Sequence, residues 1–202
     1  MAVQWDLTEA ASALRNGEIT AETLLDQHLQ TIELRQPQLN SFVTLDEAGA
    51  RAQARASAAR HHSGEPLSML DGIPIALKDN IDVAGLPTSN GTAELRPATD
   101  DAEVTTRLRA AGAVLLGKLN MHECALGATT DNPHHGPTHN PWRAGYTPGG
   151  SSGGCGAAVA AGLVLAALGT DTLGSVRLPA AYWVSSASRP RWGSSAPAGS
   201  CR

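Results

Sequence analysis

Residues 72–80 read Gly-Ile-Pro-Ile-Ala-Leu-Lys-Asp-Asn, and this stretch decides the fold class. Asp71-Gly72 makes a turn, and the apolar run Ile73 to Leu77 that follows reads as a short buried strand. A second run of the same kind, Ala113-Val114-Leu115-Leu116-Gly117, comes after residues 101–112, which read as a helix ended by Gly112. Continuously apolar strands that alternate with helices predict an α/β sheet covered by helices on both faces.

Upstream, residues 6–60 read as helical. Asp6 or Thr8 can cap a first helix, which Asn16-Gly17 ends. Thr20 opens a second helix with Leu24, Leu25, His28, Leu29 and Ile32 on one face. Asp46 to Arg60 is alanine-rich and reads as a third, largely solvated helix, with His61 and His62 in its favourable C-terminal turn. Downstream, residues 129–156 are rich in Gly, Pro, Asn, Ser and His and form a long ordered loop or a site. A small-residue helix over about 154–165 and a short strand over about 165–169 follow. No internal repeat is visible.

Composition narrows the function classes. The 202 residues include 21 Gly and 3% aromatics, so the core relies on close backbone approach rather than on rings. A net charge of −4 carries no footprint for nucleic acid or an anionic membrane. Three cysteines without metal spacing indicate neither a disulfide scaffold nor a zinc site. The first residues, MAVQWDLTEAAS, lack a targeting pattern, and the longest apolar run, residues 157–169, is shorter than the about 20 residues of a membrane span. The expectation is a cytoplasmic protein.

Three features carry candidate chemistry. Lys78 leaves a buried strand, where desolvation lowers its pKa and suits it to act as a base; a lysine marking the strand's exit into solvent fits the position too. Residues 147–154, Thr-Pro-Gly-Gly-Ser-Ser-Gly-Gly, form either an anion cradle or a plain glycine-rich turn, and they lack the lysine of a phosphate loop. In residues 169–177, Gly-Thr-Asp-Thr-Leu-Gly-Ser-Val-Arg, Ser175 has the layout of a nucleophile beside its own oxyanion donors, or of a helix cap. Ser175, flanked by Leu173 and Arg177, does not stand in the Gly-x-Ser-x-Gly elbow of α/β-hydrolases. His134, His135 and His139 look like a metal cluster but fall in a loop segment, and no metal or organic cofactor is expected.

Three blocks together resemble the amidase signature hydrolases: GIPIALKDNIDVAGLPTSNG (72–91), GAVLLGKLNMHECALGATTDNPHHGPTHNPW (112–142) and TPGGSSGGCGAAVAAGLVLAALGTDTLGSVRLPAA (147–181). The resemblance is dense from about 70 to 182 and looser over the N-terminal helices. It implies the amidase signature fold, a mixed β-sheet core covered by helices, present here in its N-terminal part. It also implies a triad of Lys78 as base, Ser151 as bridging serine entered by a cis peptide, and Ser175 as nucleophile. Backbone N–H groups of Thr172, Leu173, Gly174 and Ser175 would then form the oxyanion hole, and Met121 would approach the acyl pocket, although a place in the core fits it equally. Where the family often has Gly-Gly before its nucleophile, this chain has Leu173-Gly174, which is costly only if residue 173 needs a positive φ. Cys155 stands where small residues are usual and reads as a buried thiol.

The implied activity is amide hydrolysis through an acyl-serine at Ser175, on a small-molecule amide, with a homodimer as the family-like assembly. The glutamine-hydrolysing subunit of the tRNA-dependent amidotransferase shares this pattern, although its nucleophile is more often followed by Ile-Arg-Gln-Pro than by Val176-Arg177-Leu178-Pro179. The resemblance stops after Tyr182. By the genetic code, triplets that start at the last base of the Trp183 codon are compatible with Gly-Val-Val-Gly-Phe-Lys, a family-like continuation. A one-base slip is therefore expected there, against a short protein with a disordered tail. The expected organisation is a helical segment over 1–69, a partial amidase core over 70–182 and a tail over 183–202. An inactive fragment is the third reading.

Overall fold

The computed structural model describes residues 5–143 and 145–183. The tail expected over 183–202 lies, from residue 184 on, outside the described residues. Helix α1 (Leu7–Asn16) begins in a capping box, with the Asp6 carboxylate accepting from Glu9 N and the Glu9 carboxylate from Asp6 N. Gly17 ends it in the left-handed conformation. Thr20 caps α2 (Ala21–Leu39), and the apolar face expected there, Leu24, Leu25, His28, Leu29 and Ile32, is buried. Asp46 caps α3 (Glu47–Ser63).

One expectation is corrected here. Residues 6–60 are not helical throughout, because Phe42–Leu45 is a strand, β1, between α2 and α3. Four residues are too few for a period of two to stand out from a helix-to-helix connection.

The main sheet has the order β1-β5-β2-β6, with β2 at Pro74–Lys78, β5 at Val114–Leu119 and β6 at Ala166–Leu168. The β2–β5 and β2–β6 pairs are parallel and β1–β5 is antiparallel, so the sheet is mixed. Residues 87–88 (β3) and 96–97 (β4) form a separate two-stranded ladder, and α4 (Glu103–Ala110) leads into β5. Every residue of β2 and β5 is buried, as their unbroken apolar runs demand. Segments before and after residue 70 share this sheet and one core, in which Leu24, Leu25 and Ala54 join Ile75, Leu77, Leu116 and Leu163.

Helix α5 (Gly153–Ala160) is shorter than expected. A Cβ on Gly154 would stand 2.4 Å from the Asn120 carbonyl oxygen, so a glycine there lets α5 close onto the end of β5. Helix α6 (Arg177–Trp183) ends the described chain. Among the described residues β6 has a partner on one side only, and Leu173 stands 91% exposed. No helix among them is long and apolar enough to cross a membrane.

Candidate active site

Strand β2 delivers Lys78 at its C-terminal end, where the side chain is fully buried. Its Nζ donates to Ser151 Oγ at 2.7 Å and to Thr170 Oγ1 at 3.0 Å. Burial pushes the ammonium's pKa down from 10.5 to about 8, against the pull of the Asp171 carboxylate. An amine in that range is about one tenth neutral at pH 7, and that neutral fraction is free to take a proton.

Ser151 is also fully buried, and the Gly150–Ser151 peptide bond is cis. The loop before it is fastened on two sides. Its Gly149 carbonyl accepts from Thr130 Oγ1 at 2.9 Å, and the Ser151 carbonyl accepts from His122 N at 3.0 Å. The glycine-rich stretch is thus a holder for a serine, and the anion-cradle alternative has no part in this packing.

Ser175 sits half-buried on the turn between β6 and α6. Its carbonyl accepts from Ser152 N at 3.1 Å, which ties the two serine loops together through their backbones. Among the described residues a hydrogen bond joins Lys78 to Ser151 but none joins the Ser151 and Ser175 hydroxyls.

A carboxylate that sequence reasoning did not assign organises this turn. Asp171 accepts from Gly174 N at 2.9 Å, Val176 N at 3.2 Å and Arg177 N at 3.3 Å. The Arg177 guanidinium adds a two-point contact at 3.0 and 2.9 Å. These donors hold the Asp171 carboxyl well below the usual carboxylate range, the arginine contributing most. The Gly174 amide is therefore engaged by Asp171 and is not an open oxyanion donor in this arrangement. Thr172, Leu173 and Ser175 donate their N–H groups to no protein acceptor among the described residues. The positive φ of the turn falls on Gly174, at 120°, and not on Leu173, so leucine at 173 carries no backbone cost.

Of the two places open to Met121, the acyl pocket and the core, burial favours the core: its side chain has no exposed surface, and its backbone is held by Asn120 and Asn132. Cys155, on α5, is buried, and burial pushes its thiol up to about 12, so it stays protonated. The three histidines are dispersed into separate contacts. His134 Nε2 pairs with Glu123 at 2.9 Å, His135 Nε2 meets Ser89 Oγ and Thr92 O, and His139 N donates to Leu39 O. Among the described residues no group of three or more His, Cys, Asp or Glu is arranged to hold a metal ion.

Two further groups around Lys78 also escaped the sequence. Thr170 and Asn80 lie beside it, with Asn80 Nδ2 donating to Thr170 Oγ1 at 3.1 Å. The only sign of them was their place next to the quoted motifs, which says nothing of contact across 90 residues.

This geometry has known counterparts. The family profile described as Amidase matches residues 23–199, most of the chain and some way beyond Tyr182. The chain belongs to the amidase signature family. A putative amidase, AmiA2, of Mycobacterium tuberculosis (strain ATCC 25618 / H37Rv) is 49% identical over 177 residues, which is 87% of this chain and 36% of that protein. A glutamyl-tRNA(Gln) amidotransferase subunit of Roseiflexus sp. (strain RS-1) is 46% identical over 192 residues, 94% of this chain and 39% of its own length. Among solved structures, the native peptide amidase of Stenotrophomonas maltophilia superposes with a TM-score of 0.82 at 37% identity, covering 88% of this chain and 38% of that one. A crystal structure described as an amidase gives 0.82 at 44% identity, over 87% and 41%. The chain thus spans about two fifths of the length of the amidase-family proteins it matches.

Proposed function

We propose that this chain carries the acyl-transfer machinery of an amidase. Neutral Lys78 takes the Ser151 proton, Ser151 takes that of Ser175, and Ser175 Oγ attacks the amide carbonyl. The relay returns the proton to the leaving amine or ammonia, and water hydrolyses the acyl-serine. The N–H groups of Thr172, Leu173 and Ser175 are the oxyanion donors in this reading. The observation that carries it is the 2.7 Å contact between two fully buried groups, Lys78 Nζ and Ser151 Oγ. Burial that lowers the lysine pKa makes this pair a proton acceptor rather than a static ion. The partner it calls for is a small-molecule carboxylic amide; a homodimer of the intact protein rests on family resemblance.

The test is covalent labelling of the folded 202-residue chain with a fluorophosphonate, mapped by mass spectrometry. Labelling at Ser175 that is lost in Lys78→Ala supports the reading. A folded, soluble chain that takes no label overturns it and favours the inactive fragment. The 46% identity to a glutamyl-tRNA(Gln) amidotransferase chain supports a second reading, the glutaminase. Val176-Arg177-Leu178-Pro179 after the nucleophile favours the stand-alone amidase. Glutaminase activity that appears only with the amidotransferase's other subunits would reverse that preference.

A further inference from the structure

Thr170 Oγ1 stands at a junction. It receives one N–H from Lys78 Nζ at 3.0 Å and another from Asn80 Nδ2 at 3.1 Å. A threonine hydroxyl has two lone pairs and one O–H. Two N–H donors fill both lone pairs, so the single O–H is turned away from Lys78. This matters once the lysine is neutral. A neutral amine has two N–H groups and one lone pair, and that lone pair must face Ser151 Oγ if Lys78 is to take its proton. A Thr170 hydroxyl free to rotate would donate to the same lone pair and compete with Ser151.

Asn80 has a second unusual property. Its Oδ1 is buried and has no hydrogen-bond partner among the described residues. A buried orphan acceptor costs about 1–3 kcal/mol, which an apolar side chain of similar size would not. Stability alone therefore does not account for a carboxamide here.

We propose that Asn80 is a positioning residue for the base: by occupying one lone pair of Thr170 it fixes that hydroxyl as an acceptor toward Lys78 and leaves the lysine lone pair directed at Ser151. The proposal rests on the reading of Lys78 as the base. Asn80 acts through Thr170 and takes no part in the bonds that form or break. The titratable groups that act on Lys78 from the surrounding elements are Cys155 on α5 and Asp171 on the nucleophile turn.

The test has two arms, both on the 202-residue chain. Lys78 and Lys118 are the only lysines in the sequence, so a chain labelled at lysine with carbon-13 and nitrogen-15 gives two side-chain signals. In Asn80→Asp a carboxylate replaces the donor at Thr170, and the Lys78 midpoint should rise by about one pH unit. Thr170→Val should shrink that rise, leaving only the direct pull of the carboxylate, and Thr170→Ser should preserve it in full. An unmoved midpoint in a folded Asn80→Asp chain overturns the proposal. This arm needs no activity, so it still decides if Ser175 takes no label.

The second arm is fluorophosphonate labelling above the lysine midpoint. Asn80→Ala should slow it about tenfold, as expected for one lost hydrogen bond that matters to the base. In a Thr170→Val background the same substitution should change the rate by less than about twofold. An equal loss in both backgrounds would assign Asn80 a role that does not pass through Thr170 and would overturn the proposal. This pair also carries the test if Asn80→Asp does not fold.

Discussion

Lys78 and Lys118 are the chain's two lysines, they lie on paired strands where Leu77 is the register partner of Lys118, and both are fully buried. Their surroundings differ in one respect. Lys118 Nζ faces the buried carboxylate of Asp79 at 3.0 Å and the Thr88 hydroxyl at 2.8 Å. Lys78 Nζ meets two neutral hydroxyls, those of Ser151 and Thr170. Burial pushes both amines down, but at Lys118 the adjacent carboxylate opposes it directly. Lys118 is thus an internal counter-ion, whereas the contacts of Lys78 are hydroxyls, the setting that the proposed base calls for. Asp79 itself anchors a local network, accepting from Ser89 N at 3.1 Å and from the Ser89 hydroxyl. The same side chain on adjacent strands is structural or chemical according to its partner.

Exchanging the two lysines for methionine should separate these roles. Lys78→Met should slow labelling of Ser175 by about 10²–10⁴-fold, the usual share of a general base. Urea unfolding of that variant should stay within about 1 kcal/mol of the original chain or show added stability, since no charge is left unpaired. Before substitution, labelling should rise with pH and level off above about 8, because the amine must first lose its proton. A flat profile would mean that Lys78 is no base.

Lys118→Met should do the reverse in stability. It strands the Asp79 carboxylate in the core and should cost about 3–5 kcal/mol in urea unfolding. If both methionine variants unfold alike, the contrast between the two sites fails.

A third buried cation-former extends the comparison. His28 on α2 is fully buried, with Nδ1 at 3.0 Å from the Gly162 carbonyl and Nε2 without a partner among the described residues. Burial lowers its pKa from 6.5 to about 4. The unfolded chain therefore binds a proton at 6.5 that the folded chain refuses until about 4, and stability falls as pH falls across that window. The loss should approach about 3 kcal/mol, and it should vanish in His28→Gln when unfolding is followed from neutral to acid pH. The smallest effect is expected at the nucleophile turn. Asp171→Ala removes the acceptor for three backbone N–H groups and should cost about 1–2 kcal/mol, the range of a lost helix cap. Slower labelling at Ser175 should accompany it.

The sequence carried much of this, unevenly. The runs around Ile75 and Leu115 are apolar on both faces, a pattern that only a strand buried on both sides accommodates, and both became central strands. Asp6, Thr20 and Gly17 act through neighbours three or four residues away, so their caps were legible as well. Strand β1 was not, because four residues between two helices take their conformation from pairing with β5. Met121 stayed open between pocket and core for a related reason: motif position places it near the chemistry, whereas burial is decided by what packs around it.

The sequence by itself determined the α/β alternation and the family, and it singled out Lys78, Ser151 and Ser175 as candidates, because local periodicity and motif spacing are properties of the chain. Only the tertiary structure decided that Lys118 pairs with the Asp79 carboxylate while Lys78 meets the hydroxyls of Ser151 and Thr170. It also decided that Asp171 engages the Gly174 amide and that Asn80 reaches Thr170. The physical reason is that electrostatic and hydrogen-bond partners depend on distances of a few ångströms between residues far apart in sequence, and those distances exist only once the sheet has closed.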